Sequence, residues 1–250
     1  MNVLILCGGS SPAFKDAGYD FPKPLVEIAG KPLVQLVLEN LEPLVRTGAR
    51  LIFLVCYEDN LRYHISSVVK LLAPNADVIE VSGETAGAAC TALLAVDLIA
   101  KPEPLVIING DQLIEADIAM IVRDFKARNL DGGIVVFKDV HPRWSFVKCN
   151  AEGQVIETAE KRPISNLATA GIYYYASGVD FVKAAESMIL KDAAVNGIFY
   201  ICPSYNELVL RNRRIGIHEI ARTSYISLAT PQGVQNYERI LAEKITASPK

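Results

Sequence analysis

Apolar residues follow two rhythms in the first half of this chain. Short, nearly continuous runs rich in Val, Ile and Leu stand at 2–7, 50–57, 77–82 and 104–109, and they predict strands buried on both faces. Between these runs the apolar positions return every three or four residues. Leu33, Val34, Val37, Leu38 and Leu41 form one such stripe; Leu61, Ile65, Val68, Val69 and Leu72 form another, each the mark of a helix with one face on a sheet. A third helix is expected from about Ala86 to Ile99. The small residues at its start, Ala86-Gly87-Ala88-Ala89, let it press close to the sheet or to a flat ligand.

After Asp111 the pattern becomes mixed. A helix is expected near 115–128, then strands at 132–138, 144–149 and 154–159, with Asn150-Ala151-Glu152-Gly153 as a hairpin turn. A strand at 169–176, helices near 178–190 and 204–211, a strand at 214–220 and a last helix from about Pro231 follow. The expected fold class is α/β: a mixed, mostly parallel central sheet with flanking helices. No repeat or low-complexity linker separates 1–130 from 131–250, so residues 1–250 are read as one domain with two halves.

Composition narrows the function. The chain has 250 residues, of which 51% are hydrophobic, ample for a sizeable core. Its 25 basic and 28 acidic residues give a formal net charge of -3, so no global field recruits nucleic acid or anionic lipid. Arg211, Arg213 and Arg214 form the only short basic run and read as a solvated helix end. Cys7, Cys56, Cys90, Cys149 and Cys202 show no C-x-x-C spacing and sit among apolar neighbours, the usage of reduced core thiols in a cytoplasmic protein. His64, His141 and His218 are far apart, which leaves a structural zinc site or a His-based triad without support. No apolar run approaches the length needed to cross a membrane.

Candidate chemistry begins at the first strand. Gly8-Gly9-Ser10-Ser11 follows it, and Phe21-Pro22-Lys23-Pro24-Leu25 supplies a lysine after that loop. Glycines let backbone N–H groups approach an anion, and the lysine neutralises what the amides leave, a combination suited to nucleotide phosphates. A lone glycine pair also fits an ordinary strand-to-helix turn. Asp111 lies just past the apolar run Leu105-Val106-Ile107-Ile108-Asn109-Gly110, at the strand edge where open α/β sheets bind ligands. One carboxylate there suits Mg²⁺ held mainly by substrate phosphates, and equally suits a turn or helix cap. Glu115 and Asp117 are assigned to capping the next helix. Glu160-Lys161 is either a surface pair or a phosphate-gripping lysine beside a carboxylate that binds a hydroxyl-bearing acceptor. Tyr173-Tyr174-Tyr175 alternates across a strand, which puts at least one ring in the core.

In order along the chain, five stretches resemble the nucleoside-diphosphosugar pyrophosphorylases, nucleotidyltransferases of the glycosyltransferase-A-like, Rossmann-like fold. They are the glycine loop with Phe21-Pro22-Lys23-Pro24-Leu25, Glu84-Thr85-Ala86-Gly87-Ala88-Ala89, Asn109-Gly110-Asp111, Glu160-Lys161 with Ala168 to Tyr175, and Leu228-Ala229-Thr230-Pro231. His141 to Val147 and Asn206-Glu207-Leu208 look like a capsule-biosynthesis subgroup whose acceptors are not always sugars. The resemblance implies transfer of a nucleotidyl group from an NTP (CTP, UTP or dTTP) to a phosphorylated small molecule, with release of pyrophosphate and Mg²⁺ as cofactor. It makes 1–130 the nucleotide-binding half and 131–250 the acceptor-binding half. It implies catalytic roles for Lys23, Asp111 and Lys161, with Asp111 the metal ligand. Leu6, Gly8, Gly9, Ser10, Ser11, Lys23, Glu84, Thr85, Gly87, Ala88 and Gly110 would contact the nucleotide. Asn109, Ser145, Glu160, Lys161, Gly171 and Asn206 would contact the acceptor. A homo-oligomer is left open.

Two positions depart from the family pattern. Ala13 stands where the loop carries an arginine, and Ser227 stands where many relatives carry a second metal-binding aspartate. Lys15, Arg143 or Arg162 are the candidates to supply the missing charge. Two alternatives share the fold: a protein that binds a nucleotide or phosphometabolite without turning it over, and a glycosyltransferase.

Overall fold

The first strand, β1 (Asn2–Cys7), lies at the centre of the sheet; the computed structural model that shows this describes residues 1–9 and 12–247, without the side chains of 245–247. A short helix α1 (Pro12–Asp16), a 3₁₀ turn at Lys23–Leu25 and a small ribbon, β2 (Glu27–Ile28) with β3 (Lys31–Pro32), lead into α2 (Leu33–Val45). Then come β4 (Arg50–Cys56), α3 (Tyr57–Tyr63), α4 (Ile65–Leu72), β5 (Asp77–Val81), α5 (Ala88–Leu93) and α6 (Val96–Ile99). The strand β6 (Leu105–Asn109) is followed by β7 (Gln112–Ile114), α7 (Ile118–Ala127), β8 (Gly132–Lys138), a hairpin of β9 (Ser145–Cys149) and β10 (Val155–Glu160), and the long strand β11 (Leu167–Tyr175). The chain ends with α8 (Gly178–Leu190), α9 (Tyr205–Leu210), β12 (Ile215–Glu219), β13 (Tyr225–Ser227) and α10 (Pro231–Ala247).

The strands order as β12, β8, β11, β6, β1, β4, β5, with the β9–β10 hairpin joined to the start of β11 through Ala168 and Phe146. Only β11 runs against the other six strands of that row, so the sheet is mixed and mostly parallel, as expected. Strands from both halves of the chain share it: β11 pairs β6 through Ile172 and Ile108.

The near-continuous apolar runs fill two cores by alternation. Val3, Ile5, Phe53, Val55, Val106 and Ile108 face one side with α2, α4 and α7; Leu4, Ile52, Leu54, Leu105 and Ile107 face the other with α5, α8 and α9. Removing such side chains from water contributes roughly 1.5–3 kcal/mol each, which is why strands with no polar face are stable only between two helical layers.

Several expectations change in detail. The stripe from Leu61 to Leu72 is broken at His64, whose left-handed backbone (φ 55°) ends α3 and starts α4, and only Ile65 and Val69 of the five are buried. The small-residue segment divides into α5 and α6 around Leu94 and Ala95. Asp117 caps α7 by accepting from the Met120 N–H at 2.9 Å, but Glu115 instead pairs with Lys244 at 3.0 Å. Cys7 and Cys202 are core thiols, whereas Cys56, Cys90 and Cys149 are only half-buried; none forms a disulfide. All three of Tyr173, Tyr174 and Tyr175 are buried. Arg211 stands exposed at the end of α9, the helix-end position expected of that basic run, and its side chain donates to the Lys183 carbonyl and the Ser187 hydroxyl of α8. No helix among the described residues is long and apolar enough to cross a membrane.

One backbone contact sets the geometry of the sheet's mouth. Register places Leu6 opposite Asn109, so Gly110 packs on β1; a Cβ there would fall 2.2 Å from Cys7 Sγ and 2.9 Å from the Leu6 carbonyl oxygen. Gly110→Ala is expected to destabilise the fold by about 1–3 kcal/mol in urea unfolding, with Cys7→Ala in the same chain recovering only part of the loss, because the Leu6 carbonyl remains.

Candidate active site

From β1 the chain moves outward to β4 and β5, then returns across β1 to form β6 on its other side. The reversal leaves a crevice beyond the carboxyl ends of β1 and β6, the position at which open α/β sheets hold ligands. Here it is a cleft of about 2260 Å³. Leu6, Gly8, Gly9, Lys23, Glu84, Thr85, Gly87 and Ala88 line the part built by the first half, and Asn109 and Asp111 lie at the junction. Ser145, Glu160 and Gly171 line the part built by the second half. Ser10 and Ser11 lie outside the described residues.

At the junction the Lys23 ammonium donates to Asp111 Oδ2 at 2.6 Å. Both side chains are largely shielded, with 16% and 21% of their surfaces exposed, so the ion pair is little screened. Lys23 is aimed by its neighbours: Pro22 and Pro24 restrict the backbone on either side, Pro24 is buried, and the Leu25 N–H donates to the Pro22 carbonyl at 2.8 Å. Asp111 is aimed by two contacts of its own segment. The Gly110 N–H bonds the Leu6 carbonyl at 3.0 Å, and the Leu228 N–H bonds the Asp111 carbonyl at 2.8 Å. The second contact belongs to a ribbon that sequence did not reveal, β7 against β13, which sets Ser227 opposite Gln112 and into the cleft. Beneath the pair, burial and the Asp111 charge push the Cys7 thiol up to about 12, so it stays neutral and unreactive.

Among the described residues no three His, Cys, Asp or Glu side chains gather to hold a metal. One carboxylate does face the cleft at the point where an ammonium already sits on it. That donor set fits a magnesium ion taken mainly by substrate phosphates, with Asp111 and at most the Ser227 hydroxyl from the protein; it does not fit a cation caged by protein ligands alone.

The second-half end is a buried polar network. Glu160 is only 8% exposed, accepts a hydrogen bond from the Ser145 hydroxyl, and has its carboxyl pushed up by burial, against the opposing pull of Ser145 and Lys161. Tyr173 and Thr169 hydroxyls meet at 3.0 Å beside it. Gly171 has φ +64°, and a Cβ there would fall 2.4 Å from Gln112 Oε1 and 2.5 Å from Asn109 Nδ2; glycine leaves room for the Asn109 amide, which Gln112 holds at 3.3 Å.

Other expected residues have different surroundings. Lys161 does not line the cleft: its ammonium donates to the Tyr200 hydroxyl at 2.9 Å, a bond that raises its pKa. Asn206 spends its amide on the Thr158 backbone, accepting from the N–H at 2.8 Å and donating to the carbonyl at 2.9 Å. Gly87 lines the cleft, yet its φ of 118° and missing Cβ serve the close approach of Ile198 and Phe199. Of the candidate replacement cations, Lys15 and Arg143 line the cleft, whereas Arg162 pairs with Glu157 at 2.8 Å away from it. Sequence reading missed Thr169, Tyr200, Trp144, Arg222 and Tyr225 as cleft residues. Thr169 carried a signal, the alternation along β11 that it shares with Tyr173; the other four arrive from a three-residue strand, a turn and loops without periodicity.

Comparison with known proteins bears on the same segments. Residues 2–207 match the nucleotidyl transferase family. Over 183 residues the chain is 31% identical to mannose-1-phosphate guanylyltransferase catalytic subunit beta of Drosophila pseudoobscura pseudoobscura, covering 69% of this chain and 47% of that protein. Over 181 residues it is 30% identical to the bifunctional protein GlmU of Methanocaldococcus jannaschii, covering 70% of this chain and 40% of that protein. The chain thus spans less than half the length of each of these relatives. The crystal structure of the nucleoside-diphosphate-sugar pyrophosphorylase from Vibrio cholerae RC9 superposes with a TM-score of 0.80 at 26% identity, over 96% of this chain and 100% of that one. The family match runs from β1 into α9 and takes in the glycine loop, the Lys23 turn, the Asp111 corner and both strands of the hairpin that carries Ser145 and Glu160; the chain belongs to the nucleotidyl transferase family.

Proposed function

We propose that this chain transfers a nucleotidyl group from an NTP to the phosphate of a small metabolite of the sugar-phosphate class, with release of pyrophosphate and dependence on Mg²⁺. The observation that carries it is the Lys23–Asp111 pair at the floor of the cleft, placed where the glycine loop and the Asn109-Gly110-Asp111 turn converge. An acceptor phosphate oxygen attacks the α-phosphorus; the new O–P bond forms as the bond to the β-phosphate bridging oxygen breaks, and pyrophosphate leaves with that electron pair. Two polyanions must come together, so the main obstacle is electrostatic.

Each residue has a share in that task. Gly8 and Gly9 let the triphosphate approach the backbone, and Lys23 exchanges the Asp111 carboxylate for a phosphate oxygen. Asp111, with the Ser227 hydroxyl beside it, would hold magnesium, which supplies further charge neutralisation on the phosphates when bound. Glu84 and Thr85 border the nucleoside, while Glu160, Ser145 and Asn109 accept from or donate to acceptor hydroxyls. Lys161 enters through Tyr200, which lines the cleft. The guanylyltransferase names among the relatives add GTP to CTP, UTP and dTTP as donors, and mannose 1-phosphate is the first acceptor to try. As part of the same proposal, the product serves surface-polysaccharide assembly, a reading supported by the resemblance of His141 to Val147 and Asn206 to Leu208, and the chain works in the cytoplasm, a reading supported by its unpaired cysteines. One observation favours a second reading, nucleotide binding without turnover: Ala13 lies in α1 with no charge to offer, and the cation of that helix, Lys15, is a point charge without the paired donors of an arginine.

Pyrophosphate release from each NTP with Mg²⁺ and a panel of phosphomonoesters tests the proposal. Release that needs both substrates is the expected result, and saturable NTP binding without release would establish the second reading. Lys23→Ala and Asp111→Ala are each expected to lower kcat by roughly 10²–10³ while leaving Tm within a few degrees. Full activity in either would remove its assigned role.

Glu160 yields a prediction that separates function from stability. A carboxyl whose folded pKa is raised holds its proton longer in the folded chain than in the unfolded one, so ionising it costs stability as pH rises above 4.5. Glu160→Gln is therefore expected to leave Tm at pH 7 unchanged or higher, and to raise the acceptor KM about tenfold or more with the NTP KM unchanged.

A further inference from the structure

The strand β9 is preceded by a cation that the reading above does not use. Arg143 lines the cleft, its guanidinium carbon lies 4.3 Å from the Trp144 ring centroid, and it makes no ion pair among the described residues. Its backbone N–H is anchored on His141 Nδ1 at 3.2 Å. Trp144 is itself held edge-on by Phe137 and Tyr225, at 5.3 and 5.4 Å between ring centroids. A guanidinium lying on an aromatic face keeps its in-plane N–H donors clear of the ring, pre-oriented for the paired oxygens of a phosphate or carboxylate.

The neighbouring charges say which anion. Arg143, Arg222 and Asp111 all act on the Tyr225 phenol, Asp111 raising its pKa and the two arginines lowering it, so the guanidinium stands within electrostatic reach of the Asp111 corner. Two residues along the chain, Ser145 donates to Glu160 in the acceptor end. The other cations of that end are engaged: Arg222 with Asp139 at 3.3 Å and the Tyr225 carbonyl at 3.3 Å, and Lys161 with Tyr200. Lys15 and Lys23 belong to the glycine-loop side.

We propose that Arg143 binds the phosphate of the acceptor, through two in-plane N–H donors held in position by Trp144. This rests on the nucleotidyl-transfer reading and names how that site recognises its second substrate. Arg143 thereby supplies, from the acceptor half, cationic charge that Ala13 does not supply from the loop.

Trp144 is the only tryptophan of the chain, so its emission reports on the ring beneath Arg143. The wild-type chain is titrated with inorganic phosphate and with mannose 1-phosphate while that emission is followed, and NTP binding is followed separately by thermal shift with Mg²⁺. A saturable response is expected in the wild type. Its midpoint should rise about tenfold to a hundredfold in Arg143→Ala and recover in part in Arg143→Lys, with NTP binding unchanged within about twofold. In turnover the same variants should raise the acceptor KM and leave the NTP KM alone. No response in the wild type, an unchanged midpoint in Arg143→Ala, or equal weakening of NTP binding would each overturn the assignment. A wild-type chain that binds phosphate through Arg143 but never releases pyrophosphate would overturn the nucleotidyl-transfer reading and leave Arg143 as the anion site of a binding protein.

Discussion

A single ion pair across the mouth of the sheet, Lys23 on Asp111, is the contact around which the rest of the cleft is arranged. Its partners are 88 residues apart in the chain and meet only because β1 and β6 are neighbours. A half-buried pair of this kind gains Coulomb energy in a medium poorer than water and loses hydration of both ions, so its net contribution to stability is small. Its importance is positional. It fixes an ammonium in the cleft and keeps a carboxylate from standing uncompensated in the crevice. In the proposed reaction a triphosphate would take the lysine and leave the aspartate open to another cation, which would link the two binding events through one short contact.

The two ends of the cleft solve different physical problems. On the first-half side Gly8, Gly9, Gly83, Gly87 and Ala88 bring the backbone close to the cleft, as a chain must do to present amides to an anion. On the second-half side a nearly buried carboxylate has the Ser145, Thr169 and Tyr173 hydroxyls close by, while its cationic neighbour Lys161 is turned to Tyr200. That environment favours ligand hydroxyls over ligand charge. Cationic charge stands instead at the rim, where Arg143 and Arg222 lie on an aromatic wall of Phe137, Trp144 and Tyr225, the place proposed for an acceptor phosphate.

Several residues with a chemical look are used by the fold. Gly110 is a glycine because Cys7 and the Leu6 carbonyl occupy the space of its Cβ, and Gly87 because the Ile198 side chain and the Phe199 backbone do the same. Asn206 ties α9 to β10 by satisfying both polar groups of the Thr158 backbone, a connection between sheet and helix that would otherwise leave two peptide groups without partners. Of the three, Gly87 also lines the cleft, whereas Gly110 and Asn206 do not. These uses explain why an identity can be demanded by packing alone.

The sequence by itself determined the α/β class, the position of nearly every long strand, and the two turns, after β1 and after β6, that meet in the crevice. It could do so because buried parallel strands need unbroken apolar runs, and because glycine beside a lysine or an aspartate is legible without neighbours. Only the tertiary structure decided that β7 and β13 form a ribbon bringing Ser227 to the Asp111 corner, that the Leu61 to Leu72 stripe breaks at His64, and that Lys161 turns to Tyr200 while Arg143 faces the cleft. Three-residue strands carry too few positions for a period, and a left-handed histidine leaves no mark in an apolar stripe. Whether a lysine or an arginine reaches a cleft depends on which long-range partner, a phenol or a tryptophan face, the fold sets beside it.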